Sequence, residues 1–452
     1  MKAAATKIVV IVVLAVALFV PVLMIQGLVA ERQQRRDEAV NGIAEGWGKR
    51  QTLAGPYVAL PYERTWIQVT QEVVDGKERE RRIERTESQV AHVRAENVTW
   101  IVSAEISEKA RGIYKARLFS AKLQAQGTIR VPASTGFEDG KSRYRWGTPR
   151  LVIGIGDPHG IRAAGEASVG SKRYGFVPGT GEAAIAGGLH APLADMQGAA
   201  SQTLPFSFSL ELGGSETFAI APLGADTSVS MRADWPHPSF QGRFLPARHA
   251  IDQHGFTADW KVSRFAAQSP SQSGCPWPCG VMSEQIAVSF IEPASLYQQL
   301  ERTSKYGFLF IGLTFAAFLL LELLRRLAIH PVQYTLVGLA LAIFFLLLVA
   351  LSEHIAFAAA YAIAAVACVG LVSTYLVRAL RSVRLGLAFG AALSALYAML
   401  YALLKAEDYS LLGGSLLLFG LLAAVMLGTW RLDWYKLTEE IRGQSPNSPA
   451  RT

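Results

Sequence analysis

Charge is what this sequence has little of. Only 18% of its 452 residues are charged, and the shortage is uneven. From Tyr306 to Trp430 there are ten charged side chains, nearly all at segment ends, whereas residues 31 to 305 are rich in charge, glycine and proline. With 51% hydrophobic residues and a mean hydropathy of +0.25, this composition weighs against intrinsic disorder and against an ordinary cytosolic enzyme. Cysteine is scarcer still: Cys275, Cys279 and Cys368. A zinc centre would need two more ligands than Cys275 and Cys279 supply. His237, His249 and His254 form no His-x-x-x-His pair and have no acidic neighbour at ligand spacing, so no metal site is expected there. Gly413-Gly414-Ser415 is the nearest approach to an intramembrane serine nucleophile, but no histidine stands at matching depth in a partner span. Small residues there serve close helix approach instead. No catalytic signature and no cofactor motif remain, so the expectation is a protein that is not an enzyme and carries no cofactor.

What the sequence does have is apolar runs. Ile8 to Val29 is long enough, at about 1.5 Å per residue, to cross a hydrocarbon core of about 30 Å. A signal peptide would have a shorter apolar core, and the one plausible cleavage point, before Glu31, has Leu28 where a small residue is wanted. An uncleaved anchor is therefore expected. Five further runs follow, Tyr306 to Leu324, Gln333 to Leu351, Ala356 to Leu376, Leu385 to Leu404 and Leu411 to Trp430, each close to one bilayer crossing. The resulting expectation is an α+β membrane protein. It has a cytoplasmic tip and transmembrane anchor at 1–30, a large sandwich-like β-rich domain at 31–305, a C-terminal bundle of five transmembrane helices at 306–435 and a disordered tail at 436–452. Lys2, Lys7, Arg325, Arg326, Arg378, Arg381, Arg384, Arg431 and Lys436 fall on one side if the spans alternate, which places both termini in the cytoplasm. Residues 31–305 then lie outside, in a multi-pass membrane protein.

Period-2 patterning marks strands in that outer region, as in Val90 to Ile106, Tyr114 to Val131, Leu204 to Leu212 and Thr227 to Ala233. Lys77 to Glu87 is mostly charged, but Glu78, Glu80, Glu84 and Glu87 are interleaved with its basic residues. A solvated hairpin tip is expected there and no nucleic-acid partner. Cys275 and Cys279 flank Pro276-Trp277-Pro278, and a local disulfide is the expected reading in an oxidising compartment. A redox site would call for two-residue spacing at a helix start, and zinc for additional ligands. Ionisable groups in the membrane half are costly and so informative. Glu322 is spaced to pair with Arg325 or Arg326, while Glu353 and His354 stand together at the outer mouth of two spans, as a polar cap or as a proton or ligand site.

A set of short segments carries a resemblance. They include Arg111-Gly112-Ile113-Tyr114, Trp235-Pro236-His237-Pro238-Ser239-Phe240, Gly242-Arg243-Phe244-Leu245-Pro246, His330-Pro331-Val332-Gln333-Tyr334, Leu351-Ser352-Glu353-His354 and Asp433-Trp434-Tyr435. Together, over nearly the whole chain, they resemble the CreD family of inner-membrane cell envelope integrity proteins. The resemblance implies a Gram-negative inner-membrane protein that responds to a two-component sensor and regulator and supports the envelope under stress such as β-lactams. It supplies no catalytic residues. The expected function is a non-enzymatic envelope factor held by the lipid bilayer, whose periplasmic domain binds an envelope protein or glycan. A transporter using Glu322, Glu353 and His354, or a periplasmic glycan-acting enzyme, are the alternatives. Oligomeric state is not legible.

Overall fold

Alternation of apolar and polar residues is the strongest local instruction in the chain, and the computed structural model follows it. It describes residues 16–74, 77–131, 141–182, 187–196, 201–266, 284–290, 296–325 and 330–405, with isolated positions beside them. Two compact units result, residues 37–293 and residues 1–36 with 294–452.

The first unit is built on three long strands, β1 (Gln51–Val74), β2 (Lys77–Arg111) and β3 (Tyr114–Val131). β1 and β2 pair antiparallel from Val74↔Lys77 to Tyr57↔Arg94. β2 then changes partner and pairs with β3 as far as Arg111↔Tyr114, with a register shift between Ala95 and Asn97. At that irregularity the Asn97 side chain takes over ladder duty. Its Oδ1 accepts from Thr128 N at 3.1 Å and its Nδ2 donates to Thr128 Oγ1 at 2.7 Å. The turn closing β2 and β3 is Gly112-Ile113, and Gly112 has a φ of 62°, a conformation that costs a residue without Cβ least. Because β2 belongs to both ladders, all seventeen strands found among the described residues form one hydrogen-bonded system.

Sorting by water is clear on the strand Gln202–Ser215, where Phe206, Phe208, Leu210 and Leu212 are buried and Ser207, Ser209 and Glu211 are exposed. The buried face joins a core that takes Leu53 and Ile153 from one ladder and Trp100, Phe119 and Trp260 from the other. Trp100 meets Phe208 edge-on at 5.7 Å, and Phe119 lies 5.5 Å from Phe290. Each such side chain contributes about 1.5–3 kcal/mol by leaving water.

The second unit is helical and corrects the expected architecture. Helix α1 (Phe19–Trp47) does not stop at the end of its apolar stretch but runs on through Glu31, Arg32, Arg35 and Arg36. Its residues up to Arg36 group with α2 (Leu296–Lys305), α3 (Gly307–Arg325), α4 (Pro331–Ser352), α5 (Phe357–Ala379) and α6 (Val383–Lys405). Among the described residues, three helices are long and apolar enough to cross a membrane, and they are α4, α5 and α6. A separate N-terminal anchor beside a five-helix C-terminal bundle is therefore not the architecture. The last expected span, Leu411 to Trp430, lies almost wholly outside the described residues, as does the tail. A hydropathy window finds apolar length but not whether a run stands alone or packs with others. Gly338 of α4 shows the packing, since a Cβ there would collide with Leu18 and Phe315.

Candidate functional site

The residues singled out in the membrane half come to rest in separate places. Glu322 on α3 is buried and accepts a 2.8 Å hydrogen bond from the Tyr334 hydroxyl on the first turns of α4. The rings of Phe315 and Phe318 pack edge-on against Tyr334. The segment His330-Pro331-Val332-Gln333-Tyr334 thus has a physical explanation. His330 caps α4 by accepting from Val332 N, Gln333 reaches back to His330 N, Pro331 fits the first turn, and Tyr334 satisfies a buried carboxyl. Arg326 and the Arg325 side chain lie outside the described residues.

Glu353 closes the other end of α4, and its carboxylate lies 3.6 Å from Arg32 Nε of α1. His354 is exposed in the turn beside it. Tyr334 and Glu353 are separated by about 28 Å of helix at 1.5 Å per residue. Glu322 is matched by Tyr334, whereas Glu353 faces Arg32 at ion-pair distance with its buried Oε1 making no hydrogen bond, and at that separation the two carboxylates do not form one polar path. Cys368 is buried in α5 and receives the Tyr397 hydroxyl at 3.3 Å, a packing role. Cys275 and Cys279 lie outside the described residues. Among the described residues, no group of three or more His, Cys, Asp and Glu side chains is arranged to hold a metal ion.

The most elaborate polar arrangement lies in the β unit, where the end of α1 enters β1. Gln51, only 1% exposed, fixes the loop at Asp157 through two bonds and ties it to Gly213 through a third. Its Nε2 donates to the carbonyls of Asp157 and Gly213 at 3.0 and 2.9 Å, and its Oε1 accepts from Asp157 N at 3.1 Å. Asp157 in turn caps the short helical turn Pro158–Gly160 and accepts from Lys49 N at 2.8 Å and from His159 N at 3.1 Å, with His159 Nδ1 at 3.0 Å. Desolvation pushes its carboxyl upward, but the backbone donors of Lys49 and His159 and the His159 ring together hold it below the usual aspartate value. Opposite, Arg50 grips Glu216 at 2.9 Å. Glu216 links two strands at a φ of 58°, and backbone bonds to Arg117 and Phe290 hold it there.

These groups line a cleft of about 970 Å³ with Asn41, Glu45, Lys49 and Arg50 on one wall and Asp157, His159 and Glu216 on the other. Cationic and anionic side chains alternate around it. That pattern suits a polar ligand rich in both donors and acceptors, not a single charge. Trp47 supports the wall, since its indole donates to Phe119 O at 3.1 Å and the Arg162 guanidinium covers its ring at 4.2 Å. A second polar cluster is enclosed within the sheets. Glu182 is 3.1 Å from His92 Nε2 and 3.8 Å from Arg150, and the buried Tyr57 phenol is pushed far up by desolvation and by the Glu182 charge.

Of the cleft, only the Asp157-Pro158 cap had a sequence signal, and it reads as turn punctuation. Gln51 and Glu216 had none, because the partners of their side chains in the cleft lie more than 100 residues away.

Comparison with known proteins gives a consistent result. The family described as inner membrane protein CreD matches residues 3–435. Inner membrane protein CreD of Escherichia coli (strain K12) is 31% identical over 419 residues, which cover 92% of this chain and 91% of that protein.

Proposed function

The chain belongs to the family described as inner membrane protein CreD, and on that premise we propose how its two units share the work of an envelope-integrity factor. The protein is a multi-pass inner-membrane protein that supports the envelope without being an enzyme. In our reading the β unit is periplasmic, both termini are cytoplasmic, and the helical unit anchors and relays. Support for this orientation comes from Arg378, Arg381 and Arg384 clustering at the α5–α6 turn while the α4–α5 turn carries Glu353 and no lysine or arginine.

The observation that carries the binding role is the cleft beside Arg50, Asp157 and Glu216. Its walls are fixed in advance by Gln51 and by the strained Glu216, so a ligand need not order them. An envelope component, protein or glycan, docks there. The transporter reading finds no support in the separation of Glu322 and Glu353.

A photo-crosslinking residue at Asn41 of the full-length chain in living cells tests this. Adducts with an envelope component should form at Asn41, and the Arg50→Ala and Glu216→Ala exchanges should remove them. The same residue at Leu339, on the outer face of α4, should yield lipid alone. Lipid alone at both positions would contradict the proposal. A periplasm-only reporter fused after Ser107 should be active and one after Arg381 silent, and activity after Arg381 would reverse the orientation.

A further inference from the structure

Beyond the last strand that pairs with it, the β1–β2 hairpin runs on as a two-stranded ribbon. β1 has the short strand Arg143–Trp146 beside it at Tyr62 to Thr65, and from Trp66 onward it pairs only with β2 among the described residues. Register then assigns every side chain to a face, because residues directly opposite one another point the same way.

Between Tyr62 and Thr70 one face carries Tyr62, Trp66, Tyr144 and Trp146, together with Arg64, Arg81 and Arg85 and the acid Glu87. Three of its rings, Tyr62, Tyr144 and Trp146, are in mutual contact, and Arg64 bridges toward Trp66. Tyr62 lies 4.8 Å from Trp146 and 5.8 Å from Tyr144, and Arg64 sits over Trp66 at 5.3 Å. The opposite face has no aromatic residue over the same stretch. It balances Glu63, Glu80 and Glu84 with Arg82, Arg143 and Arg145, and it bears the exposed aliphatics Ile67 and Val69. A charged run that looks mixed in sequence is thus sorted by register into one basic, aromatic face and one neutral face.

We propose that the face of Tyr62, Trp66, Tyr144, Trp146, Arg64 and Arg85 binds an anionic polysaccharide. The face from Tyr62 to Thr70 extends over about 26 Å at 3.3 Å per residue, with rings along its first half and Arg85 and Arg81 along its second, which suits an extended polymer lying along it. Aromatic rings offer apolar faces to the C–H faces of sugars, and guanidinium groups pair with carboxylates or phosphates spaced along the chain. A lipid surface fits less well, because the exposed aliphatics that would enter it, Ile67 and Val69, are on the other face. This assignment rests on the β unit facing the envelope but not on the cleft being used.

The test uses the purified full-length protein in detergent with fluorescent alginate, a polyuronate, as probe and neutral dextran as control. Wild type should bind alginate and not dextran. Arg64→Gln with Arg81→Gln and Arg85→Gln should weaken binding about tenfold or more, and Trp66→Ala should weaken it measurably. The charge-matched set Arg82→Gln, Arg143→Gln and Arg145→Gln should leave it within about twofold, which separates a built face from the general attraction of a basic protein for a polyanion. Matched thermal melting of the variants excludes unfolding as the cause. Absence of alginate binding, equal loss in both triple variants, or anionic vesicles or an oligonucleotide binding through the same arginines without competition from alginate would each overturn the assignment. Failure here with Asn41 adducts intact would count against this face alone.

Discussion

The two units solve the same burial problem in opposite solvents. In the β unit, outward positions such as Ser207, Ser209 and Glu211 are polar, and the apolar residues between them meet in one core. In α4 and α5 the outward residues are Leu336, Ile343 and Val366, apolar side chains where a water-soluble protein would place polar ones. The hydrophobic effect sorts side chains in the first case. In the second, hydrocarbon is as good a neighbour as another leucine, and close packing at small residues with a few matched polar pairs does the sorting. Buried polarity differs accordingly. The helical unit joins Glu322 to Tyr334 by a buried hydrogen bond, whereas the β unit opens a cleft lined by both signs of charge.

If that contrast is right, the largest single loss lies in the β core. Trp100→Ala should destabilise the β unit by about 3–5 kcal/mol, read as early proteolysis of residues 37–293 while the helical unit stays in the membrane fraction. Gly338→Leu should cost the helical unit about 1–3 kcal/mol through the clash with Leu18 and Phe315, read as a lower melting temperature in detergent. Tyr334→Phe removes one donor from Glu322 and should cost about 1 kcal/mol in the same assay. Asp157 gives the smallest effect and a pH signature. Its folded-state pKa lies below the unfolded value, so its bonds stabilise the fold above about pH 4 and are lost as pH falls through the lowered pKa. Asp157→Asn should flatten that part of the melting profile. The expected Cys275–Cys279 bridge closes a very short loop, so its loss should matter little to stability, and denaturing thiol labelling without reductant should leave both residues unmodified.

Much of this was legible in sequence where the instruction is local. The strands around Leu204 to Leu212 follow from alternation, and the turn at Gly112 from glycine's freedom. Apolar length marked α4, α5 and α6, and residues 31 to 50 read as helical leading into the sheet, as α1 proves to be, but neither could show that Leu18, just before α1, packs against Gly338. The sites were less legible for the same reason. The expected partners of Glu322 along its own helix, Arg325 and Arg326, lie outside the described side chains, and Tyr334 from the next helix is a partner that only packing brings near. Lys77 to Glu87 reads as evenly mixed charge until the pairing of β1 with β2 separates its residues by face.

The division of labour between the units is tested most directly by setting two double variants side by side in cells lacking the native protein. One is Arg50→Gln with His159→Gln in the β-unit cleft, and the other is Glu353→Gln with His354→Gln at the α4–α5 turn. Envelope integrity under stress is measured at matched protein abundance. The account predicts that the cleft variant loses protection while the turn variant stays near wild type, because the Arg32–Glu353 contact ties one helix to another and His354 is exposed. A protective cleft variant beside an inactive but fully inserted turn variant would contradict it and place the working site in the helical unit.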